Sequence, residues 1–348
     1  MEFTIRQMQE NEAKEAASVA RKAFGIIGYL IIRKPTLGLV AVSDDKIVGG
    51  VFYYTKQSGD KKIGIVSFLF TTPECQGHGI AGRLMDECIK TLWELGCDAQ
   101  VSYVQDDNVG SWAAFEKRGF VKTSLIKSIQ ALGFSTAIKA QTIFVETFMF
   151  CAGADFYMAL PDKEETKKYE RCYASVPQIV LFALINMLFL WNVILGDNDP
   201  LIVAGSFGLV FLGIAAVGWL GTLFTRRKWH FRFTQGGFVF SPIMAMFSFY
   251  PMIGGWYPDK YENTPTFKRD MAINSILIWL FLIAVVVGSR FVNNVVLMVM
   301  SHVAVVYLIF RCIPVLPFSS YGAGRVLQWN KIVFLAFAVV SVLLVFVF

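Results

Sequence analysis

A glycine-rich turn that joins a predicted strand to a predicted helix is the feature of this sequence best suited to chemistry. The strand pattern covers Lys62–Phe70, and the turn reads Q-G-H-G-I-A-G-R over residues 76–83, with a helix beginning at Ile80. Backbone N–H groups at the start of a helix attract anions, and glycines allow a ligand to approach the backbone closely. The turn therefore predicts a site for a phosphate or pyrophosphate group.

A second motif further along the chain belongs with this turn. It reads N-V-G-S-W-A-A-F-E-K-R-G-F over residues 108–120, and the turn itself has the spacing Q-x-x-G-x-A at Gln76, Gly79 and Ala81. Two motifs in this order resemble the coenzyme A motifs of the GNAT acetyltransferases. The resemblance covers about residues 1–160. It implies an α/β domain with a mixed, mostly antiparallel sheet, flanking helices, and acetyl-CoA or another acyl-CoA as the cofactor.

The resemblance also implies which residues hold that cofactor. Phe68 to Phe70 would line a splayed strand whose backbone meets the pantetheine arm, the turn would hold the pyrophosphate, and Asn108 would bind near the sulfur. The predicted cofactor-binding residues are Phe68, Leu69, Phe70, Gln76, Gly77, His78, Gly79, Ile80, Ala81, Gly82, Arg83 and Asn108.

The catalytic residues are marked less clearly. Phe115 stands where many GNAT members carry a tyrosine that protonates the leaving thiolate, and phenylalanine has no proton to give. Tyr103 or water could replace it, or the thiolate could leave unassisted, because a thiol is already acidic. Glu74 is a candidate base for the acceptor ammonium, with a solvated turn residue as the alternative. Asp106 and Asp107 flank the expected acceptor cleft and are equally typical of turns.

The charged residues divide the chain into two halves. Residues 1–175 carry 21 Lys+Arg and 21 Asp+Glu, whereas residues 176–348 carry 11 and 5, so the formal charge of +6 lies in the second half. That half is strongly apolar and lacks a basic, aromatic-interleaved stripe, so we expect no nucleic-acid partner.

The N-terminus has no apolar signal segment, which places the first half in the cytosol. Six cysteines without metal-ligand spacing predict neither a disulfide framework nor a zinc site.

Five apolar runs in the second half are long enough to cross the ~30 Å hydrocarbon core of a bilayer. They are Val176–Leu195, Leu201–Phe224, Met271–Gly288, Val292–Phe310 and Ile332–Phe348. Phe231–Tyr257 is apolar but broken by glycines and prolines, which favours a re-entrant or strand-like insertion. With the first half cytosolic, ten of the eleven basic residues fall on the cytoplasmic side and the C-terminus lies outside. The sequence thus predicts a multi-pass protein of the cell membrane, with the lipid bilayer as a partner.

Two segments of this apolar half resemble the intramembrane site-two metalloproteases. Residues 218–228 resemble the HELGHxxxARR segment of that family, and residues 317–331 resemble its PFGPLDGxKVxxWNK segment. The zinc-binding histidine positions hold Gly218 and Thr222, the catalytic glutamate position holds Trp219, and the zinc-binding aspartate position holds Gly322. Hydrolysis needs a bound metal and a carboxylate that activates water. The resemblance therefore implies a pseudoprotease without a metal or protease activity; an unrelated helical anchor is the alternative.

Together these patterns predict three segments and one main function. The segments are an acetyltransferase domain over residues 1–160, a linker over 161–175 and a transmembrane pseudoprotease-like domain over 176–348. The predicted function is a membrane-anchored N-acyltransferase that transfers an acyl group directly, at the cytosolic face, to a protein, peptide or small membrane-associated amine. The alternative is a non-catalytic acyl-CoA sensor whose pseudoprotease half binds transmembrane peptides.

Overall fold

The chain divides into two compact units. A computed structural model describes residues 2–105, 108–142, 154–171, 174–194, 199–233, 253–259, 262, 264–314 and 321–346. The first unit is built from residues within 1–104, 110–148 and 155–171, and the second mainly from residues within 172–348.

A seven-stranded sheet with the order β1-β2-β3-β4-β5-β7-β6 forms the first unit. Its strands are β1 (Thr4–Gln7), β2 (Gly38–Ser43), β3 (Lys46–Ser58), β4 (Lys61–Thr71), β5 (Ala99–Gln105), β6 (Val121–Lys122) and β7 (Ala154–Ala159). The described strand pairs are antiparallel, apart from β4 with β5, which run parallel. The predicted α/β domain with a mixed, mostly antiparallel sheet is confirmed.

Local turn chemistry explains how β2 and β3 pair. Ser43 lies opposite Lys46, so Asp44 and Asp45 alone form the turn, with φ angles of 48° and 58°. Two positive φ angles give the turn type whose twist matches that of a hairpin, and aspartate tolerates this conformation. Strands β2 and β3 thus form a tight two-residue hairpin.

Within the part of the chain that the structure describes, six helices belong to the same unit as this sheet. They are α1 (Ala13–Ile31), α2 (Ile80–Glu94), α3 (Val109–Glu116), α4 (Leu125–Leu132), α5 (Phe134–Thr142) and α6 (Lys163–Lys168). Helix α1 is interrupted at Gly25, whose φ of 64° and ψ of −151° are not helical. Helices α4 and α5 pack on their own domain, because Thr136 of α5 shares a 3.2 Å hydrogen bond with Ser58 of β3.

Helix α2 carries the glycine-rich turn at its N-terminus and is anchored by one apolar face. Leu84, Met85, Cys88 and Leu92 are fully buried against β2, β3 and β4. Helical spacing brings these residues to one side, so burial of that side fixes the direction of the helix. Burial also raises the pKa of the Cys88 thiol to about 12, and it raises the pKa of Cys97 as well.

An ion pair at the start of α1 makes the stability of the first unit depend on pH in the acidic range. Arg6 donates to Glu12 at 2.5 and 2.7 Å, and this contact is the main reason that the pKa of Glu12 falls to about 2. A carboxyl group whose pKa is lower in the folded state stabilises the fold above its unfolded pKa, near 4.5. This contribution is lost as the pH falls from about 4.5 towards 2.

We therefore expect Glu12→Gln to flatten the fall in stability between pH 5 and pH 2. The measurement is the denaturant midpoint of the full chain at several pH values in this range. Glu10→Gln is the matched control, because Glu10 is an exposed neighbour in the same short turn. Equal pH dependence in wild type and Glu12→Gln would contradict this account.

The second unit is mainly helical. Its elements are α7 (Ser175–Ile194), α8 (Pro200–Leu223), β8 (Trp229–Phe233), β9 (Gly254–Pro258), α9 (Pro265–Phe291), α10 (Val295–Arg311), α11 (Ala323–Trp329) and α12 (Lys331–Phe346). Strands β8 and β9 pair antiparallel at the two ends of the segment for which a strand-like insertion is expected; residues 234–252 of that segment lie outside the described residues.

Two helices of this unit have the length and hydropathy needed to cross a bilayer. They are α8, with 24 residues, and α9, with 27 residues. Helices also occur at the other three predicted spans, but their apolar parts, as far as the structure describes them, are Ser175–Leu188, Val295–Arg311 and Lys331–Phe346. By length and composition alone, two spans are therefore supported rather than five. The buried core helix of a soluble protein can have the same length and hydropathy.

Candidate active site

Strands β4 and β5 separate near the middle of the sheet. Their parallel pairing includes Ile63 with Ala99 and Gly64 with Gln100, and it ends at Ile65 with Val101. One residue further on, the Ser102 hydroxyl donates to the Val66 carbonyl oxygen at 2.9 Å, so a side chain bridges the strands where backbone pairing stops. Beyond this point the second half of β4 is available to a ligand on its β5 side.

A β-bulge in β4 lies at this opening. Val51 of β3 lies opposite Leu69, and Tyr53 lies opposite Val66, so Ser67 and Phe68 together face one residue of β3. Bulges bend a strand and change the direction of its backbone groups, and they are common beside active sites. The bulge therefore falls within the stretch of β4 for which the sequence predicts contact with the cofactor.

The aromatic side chains of this stretch pack into the core of the first unit. The ring of Phe68 lies 5.7 Å from that of Phe24 in α1, and the ring of Phe70 lies 5.1 Å from that of Phe52. Phe70 is buried, whereas Leu69 is half-buried. The backbone of β4, rather than these rings, is thus the part free to meet a ligand.

A small cavity adjoins the bulge. Its volume is about 340 Å³, and Ser67 and Phe68 form part of its wall. The other lining residues come from β3 and from the segment between α1 and β2: Ile31, Arg33, Lys34, Pro35, Thr36, Leu37, Phe52, Tyr53 and Tyr54. A small molecule, or the end of a peptide, would fit a space of this size.

The glycine-rich turn presents open backbone at the N-terminus of α2. Gly77 and Gly79 have φ angles of +83° and +76°, and a Cβ atom added at either would meet nothing within 4 Å. Gly79 is the N-cap residue, and the cap has no side-chain hydrogen bond. The first N–H groups of a helix have no partner within it, and left-handed glycines direct such groups towards one side. The turn therefore fits a pyrophosphate group.

The remaining residues of the turn play different parts. Gln76 and His78 are exposed, and Nδ1 of His78 lies 3.1 Å from the Gln76 carbonyl oxygen. Ile80 is buried, so it can offer only its backbone N–H to a ligand. The Arg83 guanidinium lies 4.6 Å from the centre of the Phe3 ring and is exposed, which leaves its charge available near the turn.

A residue that the sequence analysis missed holds the turn in place. Arg118 donates to the Gly82 carbonyl oxygen at 2.8 Å, to the Ala114 carbonyl oxygen at 2.9 Å and to Asp86 at 2.6 Å. These hydrogen bonds connect α2 to α3, and so connect the glycine-rich turn to the second motif. The only sequence signal was the position of Arg118 beside Gly119 in the second motif.

The candidate residues of the second motif differ in exposure. Asn108 is exposed and directly precedes α3. Phe115 is buried, with its ring 5.0 Å from that of Phe120 and 5.7 Å from that of Tyr157. The phenylalanine at the position of the family tyrosine is therefore a core residue in this chain.

The two candidate catalytic residues also lie in different surroundings. Glu74 is exposed in the short 3-10 turn Pro73–Cys75, directly before the glycine-rich turn. Tyr103 of β5 is buried, and its hydroxyl donates to Oε1 of Gln141 at 2.5 Å. Burial raises the pKa of Tyr103, so this hydroxyl stays protonated throughout the neutral range. Asp106 and Asp107 lie outside the described residues.

In the second unit, two of the positions compared with metalloprotease ligands are crowded. A Cβ atom at Gly322 would lie 2.2 Å from the Ser275 hydroxyl and 2.8 Å from Nη1 of Arg311, and one at Gly218 would lie 2.8 Å from the Trp256 ring. Among the described residues no group of three His, Cys, Asp or Glu side chains could hold a metal ion. A ligating side chain would therefore not fit at Gly218 or Gly322 without rearrangement.

Opened parallel strands, a bulge at the opening and an open helix N-terminus define the first unit as an α/β domain for an extended ligand with an anionic end. Residues 4–120 match the Acetyltransferase (GNAT) family. The first unit thus holds a GNAT acetyltransferase domain, and members of this family use acetyl-CoA. The match ends at residue 120, so the metalloprotease-like character of the second half stays a hypothesis.

Several known proteins are similar to parts of the chain. Mycothiol acetyltransferase of Brachybacterium faecium is 35% identical over 86 residues, which are 24% of this chain and 25% of that protein. The chain thus spans about a quarter of that curated relative. N-acetylglutamate synthase from Neisseria gonorrhoeae, solved with coenzyme A and N-acetyl-glutamate, is 16% identical, with 47% of this chain and 36% of that chain covered and a TM-score of 0.35. A chain of the NatC complex, solved with Gag peptide and CoA, is 15% identical, with 47% and 100% covered and a TM-score of 0.34.

Proposed function

We propose that this protein is a membrane-anchored N-acyltransferase that transfers the acyl group of acetyl-CoA, or of another acyl-CoA, to an amine at the cytoplasmic face. The observation that carries the proposal is the open helix N-terminus at Gly79 beside the gap between β4 and β5. The family match over residues 4–120 supports it.

Different residues of the first unit bind the cofactor and position its thioester. Backbone N–H groups from Gln76 to Gly82, with Arg83 beside them, bind the pyrophosphate, while the β4 backbone near Leu69 and the Asn108 side chain position the thioester. Such backbone donors also stabilise the negative charge that develops on the acyl oxygen. A bound acyl-CoA supplies an activated thioester. The amine nitrogen forms a bond to the acyl carbon, the carbon–sulfur bond breaks, and the thiolate leaves with the electron pair.

The cavity beside the bulge is the proposed place of the acceptor. It reaches Ser67 and Phe68, next to the stretch of β4 that would meet the thioester. Arg33 and Lys34 stand exposed in its lining and favour an acceptor that carries a carboxylate or phosphate group as well as its amine. The acceptors to test first are therefore amino acids, acidic peptides and aminophospholipids.

Glu74 is the proposed base, because it is exposed directly before the turn, whereas the Tyr103 proton is engaged by Gln141. General-base catalysis contributes about 10²-fold or more, so Glu74→Gln should lower kcat by about that factor. Tyr103→Phe should leave kcat within about threefold of wild type, since it removes a hydrogen bond and no reacting proton. Steady-state kinetics at pH 7 to 9 measures both.

Two further results complete this test. Glu94→Gln, an exposed glutamate at the far end of α2, is the control and should have wild-type kinetics. A large loss of kcat in Tyr103→Phe, with unchanged acetyl-CoA affinity, would instead assign the acid to Tyr103.

The membrane part of the proposal depends on α8 and α9. Both have the length and hydropathy to cross a bilayer, and the positive charges of the second half are concentrated where the sequence places the cytoplasm. The other three apolar helices would complete a multi-pass anchor with the C-terminus outside. Accessibility of cysteines introduced near Arg226 and Arg290 to an impermeant reagent, in intact cells and in opened vesicles, tests this orientation.

A non-catalytic acyl-CoA sensor is the second candidate. Phe115 favours it, because this buried ring replaces the family tyrosine and gives no proton. Calorimetry with acetyl-CoA, combined with detection of free CoA thiol in the presence of amines, separates the two. Thiol release that requires an acceptor supports the enzyme. Binding without release across amino acids, peptides and lipids supports the sensor, and absence of binding overturns both.

A further inference from the structure

A cavity in the second unit lies at the polar ends of its two membrane-length helices. Its volume is about 770 Å³, and it lies between the end of α8 and the first turns of α9. Its lining residues are Phe224, Thr225, Arg226, Arg227, Lys228, Asp259, Glu262, Thr266, Arg269 and Asp270. Four cationic and three anionic side chains thus face one space.

Two of the three carboxylates of this cavity have cationic partners, and the third has a histidine partner. Glu262 and Asp270 accept hydrogen bonds from Arg227 at 2.7 to 3.0 Å, and Oδ1 of Asp270 also lies 3.4 Å from Arg269. Asp259 lies 2.7 Å from Nδ1 of His230. Arg227 and Arg269 thus balance the charges of Glu262 and Asp270, while Asp259 is paired with a histidine.

Arg226 and Lys228 give the lining its net positive charge, since four cationic side chains face three carboxylates. Both are exposed, and neither side chain forms an ion pair or hydrogen bond with another described residue, although the Lys228 carbonyl oxygen accepts from the Asp259 N–H at 3.0 Å. They flank Arg227, whose charge is engaged by Glu262 and Asp270. Thr266 lies in the first turn of α9, where the helix dipole favours an anion. Pro265 has no N–H and the Phe267 N–H is bonded to Oγ1 of Thr264, so this turn offers the Thr266 N–H as a donor.

The apolar surface next to the cavity indicates where an anion would come from. Leu220, Leu223 and Phe224 at the end of α8 are 46%, 60% and 72% exposed. Acyl chains of a lipid would cover such residues, while basic residues directly beyond the end of an apolar helix lie at the depth of the headgroups. A phosphate held by Arg226 and Lys228 would be in this position.

We propose that this cavity binds a phosphate group, supplied by an acidic membrane phospholipid. The proposal does not depend on acyl transfer, because the cavity lies in the second unit and its binding is measured without acetyl-CoA. A soluble phosphate is the other source of the same chemistry, and the experiment separates the two.

The test uses purified full-length protein in a neutral detergent. Phosphatidylglycerol, phosphatidylcholine and inorganic phosphate are titrated separately, and binding is followed by native mass spectrometry and by the fluorescence of tryptophans such as the neighbouring Trp229. Basic residues near a membrane surface contribute about 1 kcal/mol each, so Arg226→Gln/Lys228→Gln should weaken phosphatidylglycerol binding about 30-fold. The charge-preserving Arg226→Lys/Lys228→Arg protein should bind within a few fold of wild type.

The control removes the same charge elsewhere. Lys167→Gln/Lys168→Gln changes two exposed lysines of α6 in the first unit and should leave binding unchanged. If inorganic phosphate binds at millimolar concentration with the same dependence on Arg226 and Lys228, the site binds a soluble phosphate rather than a lipid headgroup. Phosphatidylglycerol binding that is unchanged in Arg226→Gln/Lys228→Gln, or equally reduced in the lysine control, would overturn the proposal.

Discussion

Replacement of Gly79 by valine is expected to abolish acetyl-CoA binding while the first unit remains folded. Gly79 has a φ of +76° and stands at the N-cap of α2, where an added Cβ projects into open space in front of the first helical N–H groups. That open space is where the proposed pyrophosphate lies. A branched side chain both occupies it and disfavours the left-handed backbone that directs these groups. Calorimetric affinity for acetyl-CoA should fall at least 100-fold.

The chain offers a close control for this variant. Gly59 also has a positive φ, +64°, with nothing within 4 Å of an added Cβ, but it lies in the turn between β3 and β4. Gly59→Val therefore carries a similar backbone cost, about 1 to 3 kcal/mol, without touching the glycine-rich turn. Both proteins should show similar thermal midpoints, and only Gly79→Val should lose binding. Equal affinity in the two would remove the turn from the cofactor site.

Removal of Arg227 is expected to destabilise the second unit more than removal of any neighbouring cation. The Asp270 carboxylate is buried, with a side-chain exposure of 6%, and it accepts a 3.0 Å hydrogen bond from Nε of Arg227. The Arg227 guanidinium also lies 5.0 Å from the centre of the Phe267 ring. Without Arg227, the buried carboxylate keeps only Arg269, at 3.4 Å. Loss of one partner of a buried ion pair costs about 3 kcal/mol.

A double substitution, and a substitution of the adjacent Arg226, test whether the loss of stability comes from the Arg227–Asp270 pair. Adding Asp270→Asn to Arg227→Gln should recover at least half of the loss, because it removes the uncompensated charge. Arg226→Gln, one residue away and exposed, should leave the unfolding midpoint in detergent unchanged. Arg226→Gln should instead affect phosphate binding, so the two adjacent arginines separate stability from ligand binding. A loss in Arg227→Gln that Asp270→Asn deepens would contradict the role assigned to this pair.

The sequence predicted those parts of the site that depend on local chemistry. The turn from Gln76 to Gly82 depends on glycines that tolerate positive φ. The start of the helix at Ile80 follows from the same turn, and the structure has α2 beginning at that residue. Each of these signals lies within a few neighbouring residues, so the folded environment had little to add.

Features that depend on distant residues were not visible in the sequence. Arg118 clamps Gly82 and Asp86, which lie more than thirty positions earlier in the chain. Tyr103 stood out as a candidate acid because of its type, yet its hydroxyl is engaged by Gln141 from α5. The number of membrane spans was not visible either: among the described residues α8 and α9 meet the length and hydropathy test, and spans at the other three apolar helices stay a prediction.

The buried thiol of Cys88 in α2 has a chemical consequence for a domain that handles thioesters. A thiolate attacks a thioester readily, whereas a neutral thiol does not. With a pKa of about 12, only about one Cys88 thiol in 10⁵ is ionised at pH 7. Burial also raises the pKa of the Cys97 thiol. The burial that orients α2 thus also keeps the Cys88 thiol in its protonated, unreactive form.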